Sequence, residues 1–300
     1  MRRGIRNAWR LAAAGSAATA VLGLLAGGTA KASPDDPYGP EFIVTCHLSH
    51  RLPDDPIAHP GEPGDSHLHD FYGSDSTDAD STVRSMQAST TSCDRPLDTA
   101  GYWTPTVYRN GKKVHVYAET IYYRNIGRHK DIRAYPLGFK MLAGNPKATS
   151  AQSLKVVEWA CRIPHDGHKG AWSAKPPVCT NGYKLVMKVW FPDCWNGTDL
   201  DSPDHQSHVA YSSHQGVCPA GFPVHIPEIA MTAKLDVPTV PGPPDPGGTA
   251  GYYDEAITLS SGSVYTLHGD FWNTWNMPEL RRLIQYCLVE FNPCPSPGFN

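Results

Sequence analysis

The sequence contains none of several short motifs that mark common enzyme classes. It has no G-x-S-x-G elbow of the serine hydrolases, no phosphate-binding loop and no dinucleotide-binding glycine fingerprint. None of the 8 cysteines forms a C-x-x-C pair, which argues against a zinc ribbon or a thioredoxin-like redox site. Charged residues are scarce, at 18% of the 300 residues, and 10% are aromatic, which excludes wholesale disorder.

The formal net charge of −3 hides an uneven distribution. Residues 1–32 carry five cations and no acid, so the rest of the chain has 21 basic and 29 acidic side chains, a net charge of −8. Nucleic acid is therefore not an expected partner.

Residues 1–32 are predicted to be a secretory signal peptide. Arg2, Arg3, Arg6 and Arg10 precede an apolar stretch from about Leu11 to Leu25, and Ala30-Lys31-Ala32 forms a small-x-small cleavage site. A transmembrane anchor is the alternative, because the segment approaches spanning length. Its Ala- and Gly-rich composition favours cleavage before Ser33. We therefore expect an extracellular protein that is free of the membrane after cleavage.

All eight cysteines lie in the mature chain, and an even number in an oxidising compartment predicts up to four disulfides. The cysteines are Cys46, Cys93, Cys161, Cys179, Cys194, Cys218, Cys287 and Cys294. Short loops favour the pairs Cys161–Cys179 and Cys287–Cys294, while the sequence leaves the other pairings open.

The alternation of short β-prone runs with Pro, Gly and Asn clusters predicts a mainly β fold. The runs span residues 114–123, 137–142, 154–160, 183–191, 224–230, 256–260 and 264–271. The proline-rich residues 237–251 are expected to form an exposed loop, and residues 51–101 a functional surface or a disulfide-stapled loop region. One C-terminal helix is expected after Asn276, with Leu280, Leu283, Ile284, Cys287 and Leu288 on its apolar face.

These patterns predict an antiparallel β-sandwich or jelly-roll-like fold with long disulfide-stapled loops. We expect a single monomeric domain over residues 42–294, between a loose lead-in (33–41) and a tail (295–300).

Three segments concentrate His and Asp beside apolar or aromatic runs. In His67-Leu68-His69, extended backbone would place both imidazoles on one face, and the same holds for His268 and Asp270. The third segment, residues 199–208, contains Asp201, Asp204, His205 and His208 in a predicted loop. Imidazole beside carboxylate serves both acid–base chemistry and metal ligation.

Three functions fit these residues. A polysaccharide hydrolase or lyase would use Asp204, His205, His208, His268 and Asp270 as catalytic residues, with Tyr102, Trp103, Trp195 and Trp272 as sugar-binding residues. A site for a divalent metal would draw its ligands from His67, His69, His205, His208 and His268, with Asp201, Asp204 or Asp270 contributing oxygen. A non-catalytic carbohydrate-binding module of the cell wall would use the same His and Asp residues as hydrogen-bonded struts. Extracellular polysaccharide is the expected partner.

At these motifs the chain resembles the secreted fungal and actinobacterial family catalogued as DUF1996. The matching segments are residues 55–57, 67–69, 92–93, 102–108, 259–262 and 268–271, and above all the run from Phe191 to Tyr211. One departure is Asn196, where many relatives are expected to carry Asp. The resemblance implies a secreted single domain, sometimes found beside cell-wall or carbohydrate-binding modules, and brings no established activity.

Overall fold

The computed structural model describes residues 39–162, 171–180, 182–242 and 252–298. The predicted signal peptide, most of the lead-in and residues 243–251 of the proline-rich loop lie outside the described residues. Within them, no helix has the length and apolar character needed to cross a membrane.

The described chain is mainly β, as the sequence predicts. Its strands are β1 (Glu41–Cys46), β2 (His50–Leu52), β3 (His69–Gly73), β4 (Gly101–Pro105), β5 (Val107–Arg109), β6 (Lys112–Lys113), β7 (His115–Arg124), β8 (Lys140–Gly144), β9 (Val157–Arg162), β10 (Lys184–Trp190), β11 (Cys194–Trp195), β12 (Val209–Ala210), β13 (Val224–His225), β14 (Glu228–Asp236), β15 (Ile257–Leu259) and β16 (His268–Trp272). The helical elements are α1 (Val83–Gln87), a 3-10 turn (Val264–Thr266), α2 (Met277–Leu283) and a π-helical extension of α2 (Ile284–Val289).

Two five-stranded antiparallel sheets face each other across the main core. The first sheet has the order β1-β7-β14-β10-β9 and the second the order β2-β3-β4-β16-β8; two three-stranded sheets complete the fold. Phe42 and Met187 of the first sheet and Tyr102 and Phe271 of the second belong to one buried apolar cluster. Because side chains alternate along a strand, each sheet also has an outer face directed away from this core.

Long strands with a clear apolar pattern are found where the sequence predicts them, as β7 and β10 illustrate. The predicted C-terminal helix is confirmed, with the Asn276 side chain accepting a hydrogen bond from the backbone N–H of Glu279. The predicted β-prone runs do not include α1 or the strands β1 to β6, β11 and β12. Strands β3 and β4 are buried at every position, so they lack the period-two pattern of a half-exposed strand.

All eight cysteines form disulfides, which confirms the predicted number and both favoured pairs. The bonds are Cys46–Cys93, Cys161–Cys179, Cys194–Cys218 and Cys287–Cys294. Four disulfides and no free cysteine are consistent with an oxidising, extracellular compartment.

Candidate metal centre

Three histidines meet on the outer face of the second sheet. His69 begins β3 and His268 begins β16, and β4 lies between these two strands. Gly269, the next residue, allows the opposite face of β16 to approach the first sheet, since a Cβ there would lie 3.2 Å from the Phe191 ring. His67 lies two residues before β3, and its ring centroid is 4.2 Å from that of His69. The predicted shared face of the H-x-H pair is thus present.

The imidazole Nε2 atoms of this cluster point at one another. His67 Nε2 lies 3.2 Å and His69 Nε2 lies 3.5 Å from His268 Nε2. The Nδ1 atoms of His69 and His268 donate hydrogen bonds to the backbone carbonyls of Asp54 and Thr266, at 2.8 and 2.7 Å. A neutral imidazole that carries its proton on Nδ1 has a bare lone pair on Nε2. Two lone pairs therefore face each other in a buried site.

Facing lone pairs cannot hydrogen-bond to each other, whereas a cation between them would accept both. A tetrahedral ion with metal–nitrogen bonds of about 2.0–2.1 Å holds two nitrogen ligands about 3.3 Å apart. Square-planar geometry with similar bond lengths would hold adjacent nitrogens about 2.9 Å apart. The observed separations of 3.2 and 3.5 Å fit the tetrahedral arrangement better. Hydrogen bonds from Nδ1 to carbonyls are also the usual way in which metal-binding histidines are oriented.

Two carboxylates adjoin the histidines. Asp270 is fully buried on the same face of β16 as His268, with its Oδ2 4.0 Å from His268 Nε2. Neither carboxylate oxygen of Asp270 has a hydrogen-bonding partner among the described residues. Asp55, Asp270 and His69 each offer one possible ligand atom, and these atoms lie within 4.8 Å of one another. An unpaired buried carboxylate is costly, so Asp270 also favours a cation at this point.

The protonation of the site follows from its burial. Burial lowers the pKa values of His67 and His69, and it lowers the pKa of His268 to about 3. Burial and the neighbouring Asp55 raise the pKa of Asp270 well above its ordinary value. Because their pKa values are lowered, the three imidazoles are neutral at physiological pH. The neutral imidazole is the form that binds metals.

Solvent reaches the centre from the side of His67. His69, His268 and Asp270 are fully buried, whereas His67 is half-buried. Behind the polar groups, the side chains of Ile57, Phe71, Met86, Trp103 and Trp272 form a second, smaller apolar cluster. The Lys140 ammonium lies 4.2 Å from the centre of the Trp272 ring, and burial lowers the pKa of Lys140. Of the three histidines and Asp270, His67 is thus the one that solvent reaches.

His205 and His208, the metal ligands predicted within residues 199–208, are not part of this cluster. His208 Nε2 donates to the carbonyl of Lys140 at 2.8 Å, and His205 Nδ1 donates to Asp201 at 2.8 Å. The exposed Asp204 accepts the backbone N–H groups of Gln206 and Ser207, which lower its pKa. In the described chain, no group of three possible ligands within 4.8 Å includes a residue of this loop. These contacts fix the loop against β8.

The four aromatic residues predicted to bind sugar lie in different environments. Tyr102 is buried in the main core, where its hydroxyl donates to Asp98. Trp103 is also fully buried, in the apolar cluster behind the histidines. Trp195 donates from Nε1 to the carbonyl of Asp199 and is 8% exposed. Trp272, 5% exposed, belongs to the same apolar cluster as Trp103 and lies beside Lys140.

Asp55 is a possible ligand that the sequence pattern did not indicate. It falls in Asp54-Asp55-Pro56, a pattern typical of a turn, and its Oδ1 accepts the backbone N–H groups of Ile57 and Ala58. The one available signal was that residues 55–57 belong to the family resemblance.

Comparison with known proteins gives one finding. A family described as a domain of unknown function, DUF1996, matches residues 55–275. This range includes His67, His69, His268 and both adjoining carboxylates. Neither the curated proteins nor the solved structures contain a match. The match covers well over half of the chain, which therefore belongs to the DUF1996 family.

Proposed function

We propose that this protein is an exported domain that binds a divalent transition metal through His67, His69 and His268. Zinc is the metal that we favour. The observation that carries the proposal is the convergence of three Nε2 atoms, two of which are held unprotonated by Nδ1 hydrogen bonds. Zinc accepts imidazole ligands in tetrahedral geometry and has no preferred geometry of its own to oppose the protein's. Copper is the next metal to test, because it also binds imidazole ligands and generally binds a given protein site more tightly than zinc does.

We further propose that the metal position is open and supports chemistry on an extracellular polysaccharide. Three protein ligands leave a fourth position for water, and a zinc-bound water ionises near neutral pH. The half-buried His67 marks the side from which a substrate would enter. Asp270 would accept the proton of the bound water; as a fourth ligand it would instead close the position. A hydrolase or a lyase would use such a centre.

Metal content is the direct test of the binding step. The exported protein, prepared without an affinity tag and supplemented with zinc, copper or calcium, is analysed for bound metal. We expect about one zinc per chain in the wild type and little in His69→Gln and His268→Gln. The exposed His115 is the matched control, and His115→Gln should bind as the wild type does. Zinc near zero in a folded wild type would refute the proposal.

Asp270→Asn separates the two roles of the carboxylate. Retained zinc with lost turnover would assign Asp270 to proton transfer, whereas lost zinc would assign it to the ligand set. Turnover is measured on a panel of neutral and acidic polysaccharides by the release of reducing ends. The absence of products from a zinc-loaded, folded protein would reject the catalytic part and leave a metal-binding module.

A further inference from the structure

A second concave site lies on the outer face of the first sheet, away from the histidines. The cavity has a volume of about 280 Å³ and is lined mainly by polar and aromatic side chains, including Glu158, Trp172, Trp190, Tyr211 and Glu228. Along β9, β10 and β14, Glu158, Trp190 and Glu228 alternate with residues of the main core, so they project from the opposite side of the sheet. This volume is just below the usual range for small-molecule pockets, about 300–1,000 Å³.

The carboxylates that line this cavity are already paired, with one exception. Glu158 lies 3.5 Å from the Lys188 ammonium and accepts the Trp190 Nε1–H at 2.7 Å. Asp193 accepts from both the backbone N–H and the hydroxyl of Ser212, at 2.7 and 2.6 Å. These carboxylates have little charge left to offer a ligand.

Glu228 is the exception. The described part of the chain provides no hydrogen bond to its carboxyl. Burial raises its pKa to about 8, against the opposing effect of Arg124, which lies opposite it on β7. At neutral pH this group is a carboxylic acid that can both donate and accept a hydrogen bond.

A cationic ligand fits the aromatic side chains of this cavity less well than a neutral one. The Lys188 ammonium lies 3.9 Å from the Trp172 ring centre and 4.5 Å from that of Trp190, so a cation of the protein itself already lies against both rings. An added cation would meet this ammonium, and an added anion would meet Glu158. A neutral ligand with apolar faces and many hydroxyls suits the remaining surface, because it would pack on aromatic carbon and hydrogen-bond to a neutral carboxyl.

We propose that this cavity binds one or two rings of a neutral oligosaccharide. Trp172 and Tyr211 form its walls, and the Glu228 carboxyl hydrogen-bonds to a sugar hydroxyl. The proposal stands independently of the metal centre, since the two sites lie on opposite sides of the sandwich.

The test is calorimetric titration with hexasaccharides of β-1,4-glucose, β-1,3-glucose, xylose and mannose. A chitosan hexamer and a galacturonate hexamer serve as the cationic and anionic probes. We expect at least one neutral hexasaccharide to bind more tightly than both charged probes, and the His268→Gln protein to bind it equally well. Failure of all neutral probes, or tighter binding of a charged one, would overturn the proposal.

Four variants and one control locate the binding. Trp172→Ala and Glu228→Ala should each weaken it about tenfold, whereas Glu228→Gln, which keeps a neutral hydrogen-bonding group, should stay within about threefold of the wild type. Tyr286, 45% exposed elsewhere on the surface, is the aromatic control as Tyr286→Ala. Ser213→Trp, which fills the cavity rather than emptying it, should abolish binding even if Trp172→Ala folds poorly. Wild-type affinity in both Trp172→Ala and Ser213→Trp would refute the assignment.

Discussion

Adding zinc to the metal-free protein should raise its thermal stability, and replacing one buried imidazole should remove that effect. His268→Gln is the sharpest perturbation, because His268 Nε2 is the atom from which the distances of 3.2 and 3.5 Å to the other two histidines are measured. Glutamine keeps a polar side chain near the Thr266 carbonyl but removes the ring nitrogen that would bind the metal.

The size of the effect follows from mass action. A ligand that binds only the folded state at a hundred times its dissociation constant stabilises that state by about 2.7 kcal/mol. For a domain of this size each kcal/mol raises the melting temperature by about 2–4 °C, so the expected shift is about 5–10 °C. Each variant is compared with its own metal-free form, because His268→Gln also changes the packing of a fully buried residue.

Differential scanning fluorimetry over a zinc titration measures this shift. His115→Gln should show the full wild-type increase, and His268→Gln less than a quarter of it. Equal shifts in these two variants would show that zinc binds elsewhere. A wild type with no shift, despite a reversible melt, would contradict the reasoning from the facing lone pairs.

Three further predictions address the rest of the molecule. Burial lowers the pKa of His268 to about 3 in the folded state, against 6.5 for an ordinary histidine, so the stability that the neutral imidazole contributes to the metal-free protein is complete above pH 6.5 and is lost as the pH falls towards 3. Urea titrations between pH 6.5 and pH 3 should show the wild type losing up to about 1.4 kcal/mol of unfolding free energy per pH unit relative to His268→Gln. Glu158 and Lys188 form an ion pair in which both side chains are only 7% exposed. Lys188→Met should therefore cost about 3–5 kcal/mol of unfolding free energy, and the double variant Glu158→Gln/Lys188→Met clearly less. Additive costs in a double-mutant cycle would disprove the coupling. The Cys46–Cys93 disulfide spans 47 residues and the Cys287–Cys294 disulfide only 7. Replacing the first by serines should lower the unfolding free energy by about 4 kcal/mol in denaturant titrations, and replacing the second by about 2 kcal/mol. Equal costs would reject the loop-entropy argument.

The sequence predicts the local geometry of the centre better than its assembly. Spacing by two residues correctly places His67 beside His69 and His268 beside Asp270. Their meeting depends on the strand order β3-β4-β16, which joins residues about 200 positions apart in the chain. No local pattern contains that order.

Composition alone could not separate the histidine clusters. His205 and His208 have the same Asp-rich neighbourhood as a metal site. Both ring nitrogens of His208 are engaged, by the Ser202 hydroxyl and the Lys140 carbonyl, and His205 Nδ1 is engaged by Asp201. The decisive difference is that no group of three possible ligands in the described chain includes a residue of this loop. That property depends on loop geometry and on the position of β8, and neither can be derived from the spacing of residues.

The placement of the two proposed sites constrains what the protein can do. The histidines project from the second sheet and Glu228 from the first, with the main core between them. A short saccharide held near Trp172 therefore cannot also reach the Nε2 atoms of the histidines. If both proposals hold, the cavity anchors the protein to one polymer strand while the metal centre faces another. Blocking the cavity with Ser213→Trp should then leave turnover of soluble fragments unchanged and slow turnover of insoluble polymer, whereas an equal loss on both would mean that the two faces act on the same chain.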